Sequence, residues 1–330
     1  ELANTAWAFA KAGLAAPFLF EAVAAEADTK IAPSTSQELA NTVRAFAKAG
    51  VAAPALFGAV AVESSKMALC APHELADIVW AYAEAGIEAP ALFEAVAASG
   101  KMAAVTAHDL SKIVQAAKAG PRAEAAKAGA LHGALFEEIG AEASKKINAF
   151  TPREMAAMVR AYAAAGVASP LLFEAVAAEA PKKMWAFEPQ DLSSLVWAFA
   201  AVGFASPSLF DAAASAARAQ TDLFSAREIT DTLWAFASAE VEAPVLFAAL
   251  GQALDARVED LCDEDVPQLK QVLSKLQAPS ANGLLAALHN VRRARPDLDW
   301  AEARAAEPRV TPTAARRTPI GTATKPDKVS

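Results

Sequence analysis

Seven side chains recur along the chain at intervals of 37, 36, 35, 45, 37 and 37 residues: Trp7, Arg44, Trp80, Gln115, Arg160, Trp197 and Trp234. Indole, guanidinium and amide groups share a flat face that stacks on a nucleobase or on a neighbouring plane, and arginine adds attraction to phosphate. This is the chemistry of recognition rather than of bond making. Three residues before each of them stands a second set: Asn4, Asn41, Asp77, Lys112, Ala157, Ser194 and Asp231. Its members differ in hydrogen-bonding type, which is what addressing different base edges requires. One residue after each flat side chain stands an alanine: Ala8, Ala45, Ala81, Ala116, Ala161, Ala198 and Ala235. It reads as a surface row kept small. Lys11, Arg44, Lys48, Lys112 and Arg160 supply positive charge for phosphates. Two competing readings stay open. The flat set equally suits packing between adjacent helices, where long amphipathic side chains cover an edge, and the polar set suits a solvent-facing row that drifts.

No catalytic constellation accompanies these residues. There is no phosphate-binding glycine loop and no Gly-x-Ser-x-Gly. The histidines are His73, His108, His132 and His289. None pairs with a cysteine at zinc-ligand spacing, so neither metal nor cofactor is expected. His73 and His108 read as solvated residues in the first turn of a helix. Cys70 and Cys262 are far apart in sequence and read as two free thiols in a reducing compartment.

The elements that position the recurring residues are helices in pairs. A proline before Leu-Phe falls at Pro17, Pro54, Pro90, Pro170, Pro207 and Pro244, with Gly133 in its place in the fourth copy. The intervals are 37, 36, 43, 37, 37 and 37 residues. A period in this range marks a solenoid, in which each unit buries its apolar face only against its neighbours. Capping boxes open the first helices at Thr35/Glu38, Thr106/Asp109, Thr151/Glu154 and Ser225/Glu228. Pro72, Pro152 and Pro189 suit the first helical position. Glycines 13, 50, 86, 120, 166 and 203 suit the left-handed residue that ends a helix, and Glu240 breaks the pattern. Ser169 and Ser206 are placed to cap second helices. Leu192, Val196, Phe199 and Gly203 form one helical stripe, echoed by Leu39, Val43, Phe46 and Gly50. The second helix buries Leu209 and Phe210. The fourth copy has Ala117 where others have an aromatic, and its linker is longer by an insertion at residues 121–130.

Three stretches follow: a helical-hairpin solenoid over 1–250, a C-terminal helical cap over 251–300, and a basic Pro/Thr/Arg-rich extended tail over 301–330. The cap shields the last apolar face, and the tail reads as disordered until it meets a partner. The net charge of -8 argues against indiscriminate coating of nucleic acid. No apolar run approaches the roughly 20 residues of a membrane span. The chain opens inside a helix pattern, without an initiator Met or targeting peptide, which reads as a processed or incomplete N-terminus.

The strings ELANTAWAFAKAG, ELANTVRAFAKAG, ELADIVWAYAEAG and DLSSLVWAFAAVG, each followed by a Pro-x-Leu-Phe helix, resemble octotricopeptide repeats. They are also similar to the related heptatricopeptide repeats. The resemblance covers about residues 1–250 and implies an organellar protein, chloroplast or mitochondrial, that binds RNA to stabilise, process or translate transcripts or to assemble ribosomes. Two departures stand out: the repeats are acidic, and no RAP-type domain follows them.

The expected fold is therefore an all-α, right-handed α-solenoid of about seven helix-turn-helix repeats of 37 residues, with first helices lining the inner surface. The expected function is non-catalytic binding of single-stranded RNA along those helices, about seven nucleotides at one base per unit. The alternative is a protein-binding scaffold within a large organellar complex such as a ribosome or photosynthetic assembly. The acidic balance favours it.

Overall fold

The structure is a computed structural model that describes residues 2–14, 16–26, 31–119, 133–204, 206–275 and 282–295. The linker insertion, Gly120 and the C-terminal tail lie outside the described residues. Helices come in pairs. They are α1 (Leu2–Lys11) and α2 (Pro17–Ala25), α3 (Ser36–Ala49) and α4 (Pro54–Val62), α5 (Pro72–Ala85) and α6 (Pro90–Ala98), and α7 (Ala107–Ala119) and α8 (Gly133–Lys145). There follow α9 (Pro152–Ala164) and α10 (Pro170–Glu179), α11 (Pro189–Ala201) and α12 (Pro207–Ala219), α13 (Ala226–Ser238) and α14 (Pro244–Asp255), and α15 (Val266–Lys275) and α16 (Asn282–Ala294). No strand occurs among the described residues.

Each odd-numbered helix packs on the next odd-numbered helix, and from α4 onward each even-numbered helix packs on the next even-numbered one, so the chain is a helical solenoid. Over most of the stack the first helices pack on one another more extensively than the second helices do. The two helices after Leu250 keep the register as an eighth pair. Trp234 Nε1 donates to Gln271 Oε1 (2.7 Å) and Lys275 Nζ to Ser238 Oγ (3.1 Å), each at a separation of 37 residues.

Local chemistry sets the helix ends. Thr35, Thr151 and Ser225 each accept the N–H of the acid three residues on, and that acid accepts the cap residue's N–H. Gly13, Gly50, Gly86, Gly166 and Gly203 close the first helices at φ between 64° and 70°. In the seventh copy Glu240 takes up the same left-handed conformation at φ 56°. The loop geometry is thus kept, at the steric cost a Cβ brings. Ser169 and Ser206, by contrast, make no capping bond and are buried. The Ser169 hydroxyl instead lies against Gly140 of α8, 2.7 Å from where a Cβ on that glycine would stand.

Copies are joined by aromatic edges. Phe20 meets Phe46, Phe57 meets Tyr82, Phe136 meets Tyr162, Phe173 meets Phe199 and Phe210 meets Phe236, all edge-on at 4.9–5.1 Å between centroids. Each pair links a second helix to the following first helix. The Tyr82 and Tyr162 hydroxyls also donate to the carbonyls of Phe57 (2.6 Å) and Phe136 (2.7 Å). Burial pushes both phenols well above the ordinary tyrosine range, so they remain donors.

The alanine row is not a surface. Ala45, Ala81, Ala161, Ala198 and Ala235 are buried, and only Ala8, whose helix packs on a single neighbouring first helix, is exposed. A first helix inside the stack is flanked on both sides, and a methyl group is what lets the flanks close up. The side chain of Ala116 lies outside the described residues.

A second stitch has no counterpart in the sequence reading. Lys66 donates to the carbonyls of Ala32 (2.5 Å) and Ser34 (3.2 Å), Lys101 to Ala68 (2.6 Å) and Cys70 (2.7 Å), and Lys146 to Val105 (2.6 Å). Lys183 donates to Asn148 (2.6 Å) and Phe150 (3.0 Å), Gln220 to Phe187 (3.1 Å), Arg257 to Asp222 (2.6 Å) and Arg295 to Leu261 (2.9 Å). Every acceptor lies in the short turn that precedes a first helix, whose carbonyls have no ladder to join. Every donor comes from the corresponding turn of the following copy or, for Arg295, from the residue just past its last helix.

Two outcomes follow. Lys183→Met leaves the Asn148 and Phe150 carbonyls unpaired and is expected to lower unfolding stability by about 1–3 kcal/mol in a urea titration, whereas Lys182→Met on the exposed side should change it by less than about 1 kcal/mol. Glu240→Gly relieves the left-handed Cβ and should stabilise the fold by about 1 kcal/mol in the same measurement.

Candidate nucleic-acid interface

Because the copies stack in register, equivalent positions on the first helices become rows that run along the solenoid. Trp7, Arg44, Trp80, Arg160, Trp197 and Trp234 occupy one row, and all are half-buried. They are neither scattered nor sealed. Arg44 lies over the Trp7 ring at 4.0 Å, and Arg160 lies over Trp197 at 4.7 Å. Trp197 and Trp234 follow at 6.0 Å with a tilt of 31°, and the Trp234 indole N–H reaches Gln271 in the next copy. From Arg160 to Gln271 four consecutive copies therefore present one continuous ribbon of flat groups. The side chain of Gln115 lies outside the described residues.

The polar row runs alongside. Asn4 and the half-buried Asn41 are joined by an Asn41 Nδ2 to Asn4 Oδ1 hydrogen bond of 2.9 Å. Asp77 and Ser194 are half-buried and Lys112 is exposed. Lys11 and Lys48 project from the last turns of α1 and α3 and are exposed.

Two of the expected phosphate contacts have other partners. Arg44 binds Asp77 at 2.6 Å, and Arg160 lies 3.6 Å from Asp231. Burial pushes the Asp77 carboxyl above the usual aspartate range, and the Arg44 charge beside it offsets only part of that cost. Asp231 departs from its expected outward position: it is 4% exposed, enclosed between Arg160 and Arg227. An arginine from two copies earlier reaches it, and helical spacing within one copy cannot reveal such a partner. Each guanidinium thus has its charge balanced and its face covered by indole. Lys11, Lys48 and Lys112 are the exposed cations of the set.

Sequence reasoning also missed how copies communicate at their caps. His108 Nδ1 lies 2.9 Å from the capping acid Glu154 of the following copy, Ser36 donates to Glu74 (3.0 Å), and Arg227 donates to Asp265 (3.1 Å). The signal was a hydrogen-bonding residue within two positions after each cap. His108, read as merely solvated, is exposed yet paired. Among the described residues no group of three or more His, Cys, Asp or Glu side chains is arranged to hold a metal ion, and no helix is long and apolar enough to cross a membrane.

No curated protein matches the chain. The sequence profile of the RNA-editing substrate-binding complex 6 protein family matches residues 123–278. That span takes in α8 to α15, and with them the unbroken ribbon from Arg160 to Gln271, so over this part the chain is similar to that family.

Proposed function

We propose that the chain is a non-catalytic RNA-binding solenoid, which holds single-stranded RNA along its first-helix layer as part of an RNA-handling assembly in a chloroplast or mitochondrion. The observation that carries the reading is the ribbon of flat side chains at one register position, continuous over the copies that resemble an RNA-editing substrate-binding complex protein. Stacked bases need sequence-tolerant flat faces, and a row that repeats once per helix pair supplies them at regular intervals. The half-buried Trp80 and Trp234 indoles act as the platforms, while Trp197, between Arg160 and Trp234, holds the ribbon together. Asn4, Asn41, Asp77 and Ser194 supply the hydrogen-bonding groups beside them, and Lys11, Lys48 and Lys112 meet the phosphates. Arg44 and Arg160 act chiefly by holding the indoles in place, since their charges are balanced by Asp77 and Asp231. The organellar setting rests on the octotricopeptide-like strings.

The test is fluorescence anisotropy with mixed-sequence single-stranded RNA over a range of salt. Replacing Lys11, Lys48 and Lys112 together by alanine should weaken binding and make the slope of log K against log salt shallower by about 2. Replacing Arg44 and Arg160 should change affinity with little change in slope, because no net counterion release is lost. Trp234→Ala should weaken binding by about 1–3 kcal/mol. Failure of the unaltered protein to bind RNA, with a polypeptide recovered instead on crosslinking, would favour the scaffold reading.

A further inference from the structure

The second helices present the opposite face of the solenoid, and its charges are sorted. From α2 to α14 their only cations are Lys145 and Arg218, each in a last turn. Immediately after Leu-Phe an acid stands in five of the seven copies, Glu21, Glu94, Glu137, Glu174 and Asp211, all exposed and all at one register position; Gly58 and Ala248 take its place in the second and seventh. The run from Glu94 to Asp211 covers four successive copies. Exposed apolar side chains stand one turn earlier at the same face: Leu171 is 59% and Val245 60% exposed. Between α12 and α14 an open groove of about 360 Å³ is lined by Asp211, Ser215, Arg218, Glu242 and Val245.

We infer that this outer face binds a basic, extended segment of a partner protein, with a lysine or arginine at about every third residue. The spacing argument is geometric. Packed helices stand about 8–10 Å apart, and a chain in the extended polyproline II conformation advances about 3.1 Å per residue and brings every third side chain to the same face. Three residues therefore carry one cation from a carboxylate to that of the next copy. Apolar side chains of the same segment cover Leu171 and enter the groove beside Val245. A row of like-signed charges of this kind sets orientation and register and speeds encounter. The same row repels phosphate, so RNA does not compete for it. The solenoid is then two-sided, with this protein contact independent of whether the first-helix layer holds RNA.

The test uses the full chain and a labelled synthetic peptide of repeated Lys-Ser-Leu units, read by anisotropy at physiological salt. The control peptide has the same composition with its lysines grouped at one end. The spaced peptide should bind at least about tenfold more tightly than the grouped one, and the joint change Glu137→Gln, Glu174→Gln and Asp211→Asn should remove that advantage. All three side chains are exposed, so the variant should keep its circular dichroism and any RNA affinity. Val245→Ser should weaken the spaced peptide alone. Equal binding of the two peptides, an unchanged preference in the triple variant, or displacement of the peptide by RNA would overturn the inference. Failure of the RNA-binding assignment would appear separately, in the oligonucleotide titration.

Discussion

The edge of a phenylalanine ring set against an aromatic ring of the following copy is the contact on which the rest of the structure depends. It recurs at 4.9–5.1 Å wherever both partners are present. Such pairs contribute about 0.5–1.5 kcal/mol each beyond the area they bury, and they prefer one geometry. That preference fixes how far one helix pair is rotated on the next. Ala117 stands at the corresponding position of the fourth copy, so the contact is interrupted there. The lysine and arginine donors reinforce the same joint from the edge of the stack, by satisfying turn carbonyls that have no partner of their own. One contact is directional and apolar, the other directional and polar. Together they make each copy's position on its neighbour definite.

Definite stacking is what turns single residues into surfaces. A tryptophan on one short helix is an ordinary half-buried side chain. The same position repeated through consecutive copies becomes a ribbon, with Arg160, Trp197, Trp234 and Gln271 each touching the next. Stacking also neutralises. Arg44 and Arg160 lie within reach of carboxylates from later copies, so the electrostatics of the first-helix layer depend on the exposed lysines instead. On the other face Glu137, Glu174 and Asp211 remain exposed at the same register position. An acidic chain thus carries faces of different character.

Features set within one helix pair were legible in the sequence. The capping boxes at Thr35, Thr151 and Ser225 and the left-handed glycines depend on residues a few positions apart, and they form as the spacing predicts. Features set between pairs were not. The alanine row looked like surface because helical periodicity considers one helix at a time, and a helix flanked on two sides buries more than one stripe. Asp231 looked exposed for the same reason. The cation five residues before each cap was in plain view as Lys66, Lys101, Lys146 and Lys183, but its carbonyl partners belong to the preceding copy.

By itself, then, the amino-acid order determined the helix pairs, their ends, their period and the placement of flat side chains at one position per copy. These follow from backbone sterics, local hydrogen bonding and helical periodicity, all of which act over a few residues. Only the tertiary structure decided which of those positions face solvent, which arginines are already paired, and that the pairs continue in register to α16. Those properties depend on groups more than thirty residues apart, and it is the packing of one copy against another that brings them together.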